Sequence, residues 1–344
     1  MIPSLRKLQT YALLLLASFT AGAQDIHFSQ AFETPLLRNP ALAGLFAGDV
    51  RVQTVYRSQW NSVTDAYHTT SANAEYKLPV GQGDDFLTLG LQVVYDKAGT
   101  IALTTTQILP VANYHKSLSA ERNMYLSLGF MGGYVQRSFD ASKMTTNSQF
   151  DGVSHNSSLA TGETFMSPNY GYADGSAGLS FNSQIGPNAD NNIYLGAAYH
   201  HFNKSKKISF YSSNEMEMKP RMVGSAGLRL SLADRAYMTF EGDYSKQGDY
   251  TETIMGILYT VKLDDVENPK YLIHAGTYIR MKDAIIPVAK LEVRPLSFAV
   301  SYDANISALK TASQGRGGLE LSVSWQKYLD RYNSSRDAVR CPKF

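Results

Sequence analysis

"FLTLGLQVVYD", residues 86–96, decides the fold. Its apolar side chains fall on every second position. Leu87, Leu89, Leu91, Val93 and Tyr95 share one face, while Thr88, Gly90, Gln92 and Asp96 take the other. Successive side chains of a strand point to opposite faces, so this is a strand with one apolar and one polar side. The same alternation recurs in "AYMTFEGDYS" (236–245), "LSFAVSYD" (296–303) and "LELSVSWQ" (319–326). In the last, Leu319, Leu321, Val323 and Trp325 oppose Glu320, Ser322, Ser324 and Gln326.

Further strand patterns lie at 49–60, 65–78, 102–116, 123–138, 171–183, 191–202, 219–233, 250–262, 270–280 and 285–294. The total is about fourteen strands, most of about 8–15 residues, where an average soluble strand has roughly 5–6. A tilted strand needs about 9–11 residues to cross a bilayer. Length therefore favours an all-β, antiparallel transmembrane barrel of the outer-membrane type over a β-sandwich. The connections agree. Those after odd-numbered strands include the long polar stretches 139–170, 203–218 and 304–315. Those after even-numbered strands are tight: "VGQGDD", "SLSAER", "LADR" and Arg294-Pro295. Long outer loops and short periplasmic turns are the outer-membrane pattern, and an even count puts both ends of the mature chain on the periplasmic side. Tyr56, Trp60, Tyr95, Tyr114, Tyr134, Tyr244 and Tyr259 fall near strand ends, as interfacial girdles do. Pro287 interrupts a strand pattern and predicts a local bulge.

Composition fits an exported membrane β protein. The 344 residues include 22 Tyr and 26 Gly, and only 18% are charged. Residues 1–23 read as a cleavable signal peptide: Arg6 and Lys7, the apolar run "ALLLLASFTAG", and Ala21-Gly22-Ala23. Without Arg6 and Lys7, the 32 basic residues are reduced to match the 30 acids. A neutral chain has no electrostatic footprint for nucleic acid. Cys341 is the one cysteine, so no internal disulfide forms.

Catalytic and cofactor motifs do not appear. "GRGG" (315–318) lacks the Lys-Ser/Thr of a phosphate loop, and neither G-x-S-x-G nor H-E-x-x-H occurs. His200-His201, on an alternating strand, points its rings to opposite faces and makes no shared metal site. The reading is of a protein that is no enzyme and holds no cofactor or metal.

One segment fits no element. "QDIHFSQAFETPLLRNPALAGL" (24–45) carries Pro35, Asn39-Pro40, amides and aromatics, with no strand alternation. The expected organisation is a signal peptide (1–23), a periplasmic or plug segment (24–48), a barrel (49–328) and a periplasmic tail (329–344). A barrel of about fourteen strands has room for filling beyond its own side chains.

Several stretches, in order along nearly the whole mature chain, resemble the PorP/SprF outer-membrane proteins of type IX secretion and gliding. They are residues 27–60, with Asn39-Pro40-Ala41, Gly44, Arg57, Gln59 and Trp60; "GDYSKQGDY" into "IMGILY"; "YIRMKDAIIPVAKLE" (278–292); residues 301–325, with Tyr302, Asp303, Asn305 and Ser307; and the terminal "RCPKF". The resemblance implies a partner protein in the outer-membrane lipid. It would engage the C-terminal domain of a secreted adhesin and the periplasmic secretion-ring proteins. On this basis Phe28, Arg38, Asn39, Pro40, Arg57, Trp60, Tyr302, Asp303, Asn305, Arg340, Cys341 and Pro342 are candidate plug or partner-binding residues. A porin or substrate-specific transporter is the alternative.

Overall fold

The computed structural model describes residues 25–59, 66–81, 83–165, 167–188, 190–205, 210, 217–307 and 316–329. Fourteen strands run in chain order: β1 (Val50–Gln59), β2 (Tyr67–Pro79), β3 (Phe86–Ala98), β4 (Leu103–Ser119), β5 (Met124–Ser138), β6 (Asn169–Gln184) and β7 (Asn192–His200) form the first half. The second half is β8 (Arg221–Ala233), β9 (Ala236–Gln247), β10 (Tyr250–Lys262), β11 (Tyr271–Arg280), β12 (Ala284–Val293), β13 (Leu296–Asn305) and β14 (Arg316–Lys327). Each pairs antiparallel with its sequence neighbours. β1 also pairs with β14, Val50 opposite Lys327 and Gln59 opposite Gly318, which closes the barrel. Closure leaves no strand edge with unpaired amides, the condition for a sheet to survive in hydrocarbon.

Alternation sorts the side chains as β3 foretells. Thr88, Gln92 and Val94 are buried inside, and Leu89, Leu91 and Tyr95 stand outside, each 40–46% exposed. Leu319, Leu321 and Val323 face outward and Glu320, Ser322 and Ser324 inward. The outer face is thus a continuous apolar band and the lumen is polar, the inverse of a soluble protein. Such a band is stable against lipid and not against water. Outward tyrosines mark both margins: Tyr56, Tyr95, Tyr134, Tyr244 and Tyr302 toward one end of the strands, Tyr114, Tyr259 and Tyr271 toward the other.

The two rims differ. Connections after odd strands include the long 139–168 and 201–220; those after even strands are short, down to Asp234-Arg235 and the cis Arg294-Pro295 peptide. The expectation for Pro287 is corrected. Its pairing to β13 lapses at Ile286 and Pro287, yet Ile285↔Ala304 and Val288↔Ser301 keep one register, so no residue is bulged out. Losing the proline donor removes ladder contacts without adding length. The irregularity lies one strand away, between Tyr302 and Ala304 in the β13–β14 pairing.

Candidate functional site

Residues 25–48 lie inside the barrel and run along it from rim to rim. Asp25 sits at the long-loop rim, where it meets the ends of β7, β8 and β9: its amide donates to Gln247 (3.2 Å) and its carboxylate accepts from Arg221 (2.9 Å). Asp49 sits at the short-turn rim, its amide donating to the Lys327 carbonyl (2.9 Å). Asp25 and Asp49 thus lie at opposite rims, and the segment between them crosses the lumen. Between these points the chain makes only tight turns: Ala31–Glu33, one helical turn at Pro35–Arg38, and Pro40–Leu42. Pro35 and Pro40 start turns because their fixed φ suits a first helical position and needs no N–H partner.

Near the long-loop end the wall supplies a buried charge network. The Glu320 carboxylate accepts from the backbone amides of Ser29 (2.6 Å) and Gln30 (2.7 Å) and from Arg57 (2.6 Å). Asp303 accepts from the Ser29 hydroxyl (2.8 Å), Arg57 (3.1 Å) and Arg280 (3.2 Å). Gln30 donates through its side chain to Ser301 (3.0 Å). Every charge here has a counter-charge in direct contact, as burial demands.

At mid-barrel the plug is held by its own charged and amide side chains. Arg38 pairs with Asp243 at 2.7 Å and Glu33 with Lys290 at 2.7 Å. Asn39 caps the next turn by accepting from the Ala41 amide (2.8 Å) and donates to the Leu179 carbonyl (2.9 Å). The wall makes room with glycine. A Cβ at Gly129 would lie 2.5 Å from Ala41 N, one at Gly178 would overlap Asn39 Oδ1, and one at Gly196 would lie 2.9 Å from Asn39 Nδ2. Asn39-Pro40-Ala41 thus sits in a hollow cut by three inward-facing glycines.

Toward the short-turn end the wall binds plug carbonyls and an amide. Asn113 donates to Ala41 O (2.8 Å) and Ala43 O (2.7 Å), Ser180 to Ala41 O (2.9 Å) and Lys77 to Phe46 O (2.5 Å). The Gly44 amide donates to Glu75 (2.8 Å), which Arg51 also pairs at 2.6 Å. Gly44 has φ +85°, and a Cβ there would overlap the Thr88 hydroxyl, so only glycine fits.

At the long-loop rim His201 leaves β7 with φ +58° and turns inward, with Nδ1 2.9 Å from Asp174 and Nε2 3.4 Å from Asp25. This corrects the opposite-face reading of His200-His201: the second histidine is no longer on a strand. Burial opposes its charge, but the hydrogen bonds and charges of Asp174 and Asp25 outweigh it and hold the pKa up at about 10. Burial likewise opposes the Asp25 charge, yet His201 and Arg221 keep its carboxyl well below the usual range.

The plug does not fill the whole lumen. Beside its lower half lies a cavity of about 530 Å³, open at the short-turn rim and walled by Arg229, Tyr237, Lys262, Lys290, Glu292 and Ser324. Among the described residues no group of three or more His, Cys, Asp or Glu side chains is arranged to hold a metal ion.

Of the candidate residues, Phe28, Arg38, Asn39 and Pro40 are buried within the plug, and Arg57 and Asp303 form its charged anchor. Asn305 is buried at the end of β13. Tyr302 stands on the outer face, 40% exposed, and takes no part in the lumen network. Trp60, Arg340, Cys341 and Pro342 lie outside the described residues. Sequence reasoning did not single out Glu320, Arg280, Asn113, Glu75 or Lys77. Their signal was a polar or charged residue on the inward face of an alternating strand in a chain poor in charge.

A plugged fourteen-stranded barrel meets its decisive comparison in one family model, the type IX secretion system membrane protein PorP/SprF, which matches residues 20–325. The chain belongs to the PorP/SprF family. This PorP/SprF protein is therefore an outer-membrane component of type IX secretion, a system whose members work among other secretion components and cargo. No curated protein sequence matches it. Among solved structures it is similar to the translocator domain of autotransporter NalP from Neisseria meningitidis: 12% identity, 87% of this chain and 96% of that one, TM-score 0.44. It is also similar to the Ralstonia pickettii toluene transporter TbuX, at 10% identity over 86% and 93%, TM-score 0.48. A Pseudomonas aeruginosa FadL homologue matches at 9% identity over 86% and 94%, TM-score 0.45.

Proposed function

We propose that this PorP/SprF protein is a partner or anchor in the outer membrane, holding a secreted surface adhesin through its C-terminal domain and meeting the periplasmic secretion ring. In this reading residues 1–23 are the export signal, the long-loop rim faces outside, and the short-turn rim with the tail 329–344 faces the periplasm. The observation that carries it is the occupied lumen. Residues 25–48 run its length and are fixed by buried contacts such as the Ser29 amide on Glu320 at 2.6 Å and the Arg38–Asp243 pair at 2.7 Å. A diffusion channel needs a water-filled path, and a lumen fixed in this way favours a docking body over a porin. The test is affinity purification of the native protein in mild detergent, with identification of what accompanies it. A secreted protein or secretion-ring protein at near-stoichiometric yield is expected. Recovery of the barrel alone, together with steady ohmic conductance in planar bilayers, would favour the porin.

A further inference from the structure

The way the wall holds the plug identifies a kind of ligand. The buried wall side chains spend much of their bonding capacity on plug main chain. Glu320 takes the amides of Ser29 and Gln30, Glu75 takes that of Gly44, Asn113 the carbonyls of Ala41 and Ala43, and Lys77 that of Phe46. Buried N–H and C=O groups need partners, and here side chains of the wall supply them. Donors and acceptors placed for N–H and C=O groups over some twenty residues are a receptor for a polypeptide, because main-chain bonds supply affinity without fixing sequence. The sequence-specific part is local: the glycine hollow that takes Asn39-Pro40-Ala41, and the pairs of Glu33 and Arg38. The occupant is a chain segment that joins the barrel wall through Gly48, with φ +143°, at the short-turn rim. No strand of the barrel depends on it for its ladder bonds.

We propose that the lumen is a polypeptide-binding channel and that residues 25–47 are its resident occupant, standing in for a terminal segment of a secreted polypeptide. Tethering makes the plug an internal competitor at about millimolar effective concentration. A second chain enters only when it is presented at comparable local concentration, as a partner docked on the same barrel presents its terminus. The nature of that second chain rests on the secretion-partner reading; the capacity to bind one does not.

The experiment uses the full chain with a protease site inserted between Ala47 and Gly48, folded in detergent and then cut. Three fluorescent peptides are offered. The first is residues 25–47. The second keeps Ser29, Gln30, Glu33, Arg38, Asn39, Pro40, Ala41 and Gly44 but exchanges Ile26, Leu37 and Leu45 for other apolar residues. The third has the native sequence with N-methyl groups on the amides of Gln30 and Gly44. The cut barrel should take up the first peptide and bind the second within tenfold of it. The third should bind more than tenfold more weakly, since each charge-assisted bond removed is worth about ten- to a hundredfold. Failure of the cut, folded barrel to exchange its plug, a second peptide weaker than tenfold, or an N-methylated peptide within tenfold overturns the proposal. Exchange without any co-purifying secreted protein would leave the channel standing and remove only the partner reading; co-purification without exchange would do the reverse.

Discussion

Glu320 is the side chain on which the upper half of the plug hangs, and its removal has a calculable consequence. Glu320→Ala deletes the acceptor of the Ser29 and Gln30 amides and of Arg57, whose bonds are 2.6, 2.7 and 2.6 Å long. Arg57 is then left with the Ser29 hydroxyl at 2.9 Å and with Asp303 at 3.1 Å, which Arg280 already shares. Arg57 faces Glu320 across the β1–β14 pairing, so that ion pair belongs to the wall whether or not the plug is docked. Docking itself loses the two amide bonds to the carboxylate, each worth about 1.5–3 kcal/mol and together about 3–5. At about 1.4 kcal/mol per decade, the displaced population should rise from about a hundredfold to several-thousandfold. The assay is maleimide labelling of Ala31→Cys, a position 9% exposed beneath the network, in a Cys341→Ser background. Glu320→Gln, which keeps shape but not charge, should fall between parent and alanine. Labelling within threefold of the parent, in a barrel that still migrates as folded when unboiled, would refute the view that this network holds the plug.

Three further outcomes are expected. Leu321→Arg places a charge on the lipid face of β14 and should cost about 2–4 kcal/mol of barrel stability in liposomes, while Leu321→Val costs far less; equal urea midpoints for the two would mean that Leu321 does not meet lipid. His201, with its pKa raised to about 10 in the fold from an ordinary value near 6.5, holds Asp25 as a cation. Its contribution is fully present below about pH 6.5 and is lost as the pH rises through about 10, so protease access to the segment around Asp25 should increase between pH 9 and 11. His201→Gln should abolish that rise, and a rise that persists would assign it to another group. Finally, an epitope inserted near residues 150–158 should label on intact cells and one after Phe344 should not; surface labelling at the C-terminus would invert the topology.

Much of this molecule is written in the period of its sequence. Alternation in Leu87–Tyr95 or Leu319–Trp325 fixes which side chains face lipid and which face the lumen, because side-chain direction along a strand is a local property. Strand number and span followed for the same reason, and so did the contrast between long loops and short turns. Gly44 and Asn39-Pro40-Ala41 were visible through the family resemblance. What each of them touches was not. Alternation places Glu320 and Arg57 on inward faces, but only closure of β1 on β14 sets them side by side, 263 positions apart in the chain. The fate of residues 25–48 was undetermined for the same cause. A segment without periodicity carries no information about its partners, and the polar groups that satisfy its backbone come from β2, β4, β6, β7, β9 and β14 at once. Pro287 shows the limit from the other side: its missing donor is local and legible, but whether the strand answers with a bulge or an unbroken register is decided by its neighbour β13. Local sterics therefore wrote the barrel wall into the sequence, while the contents of the lumen were settled by contacts that exist only once the sheet has closed.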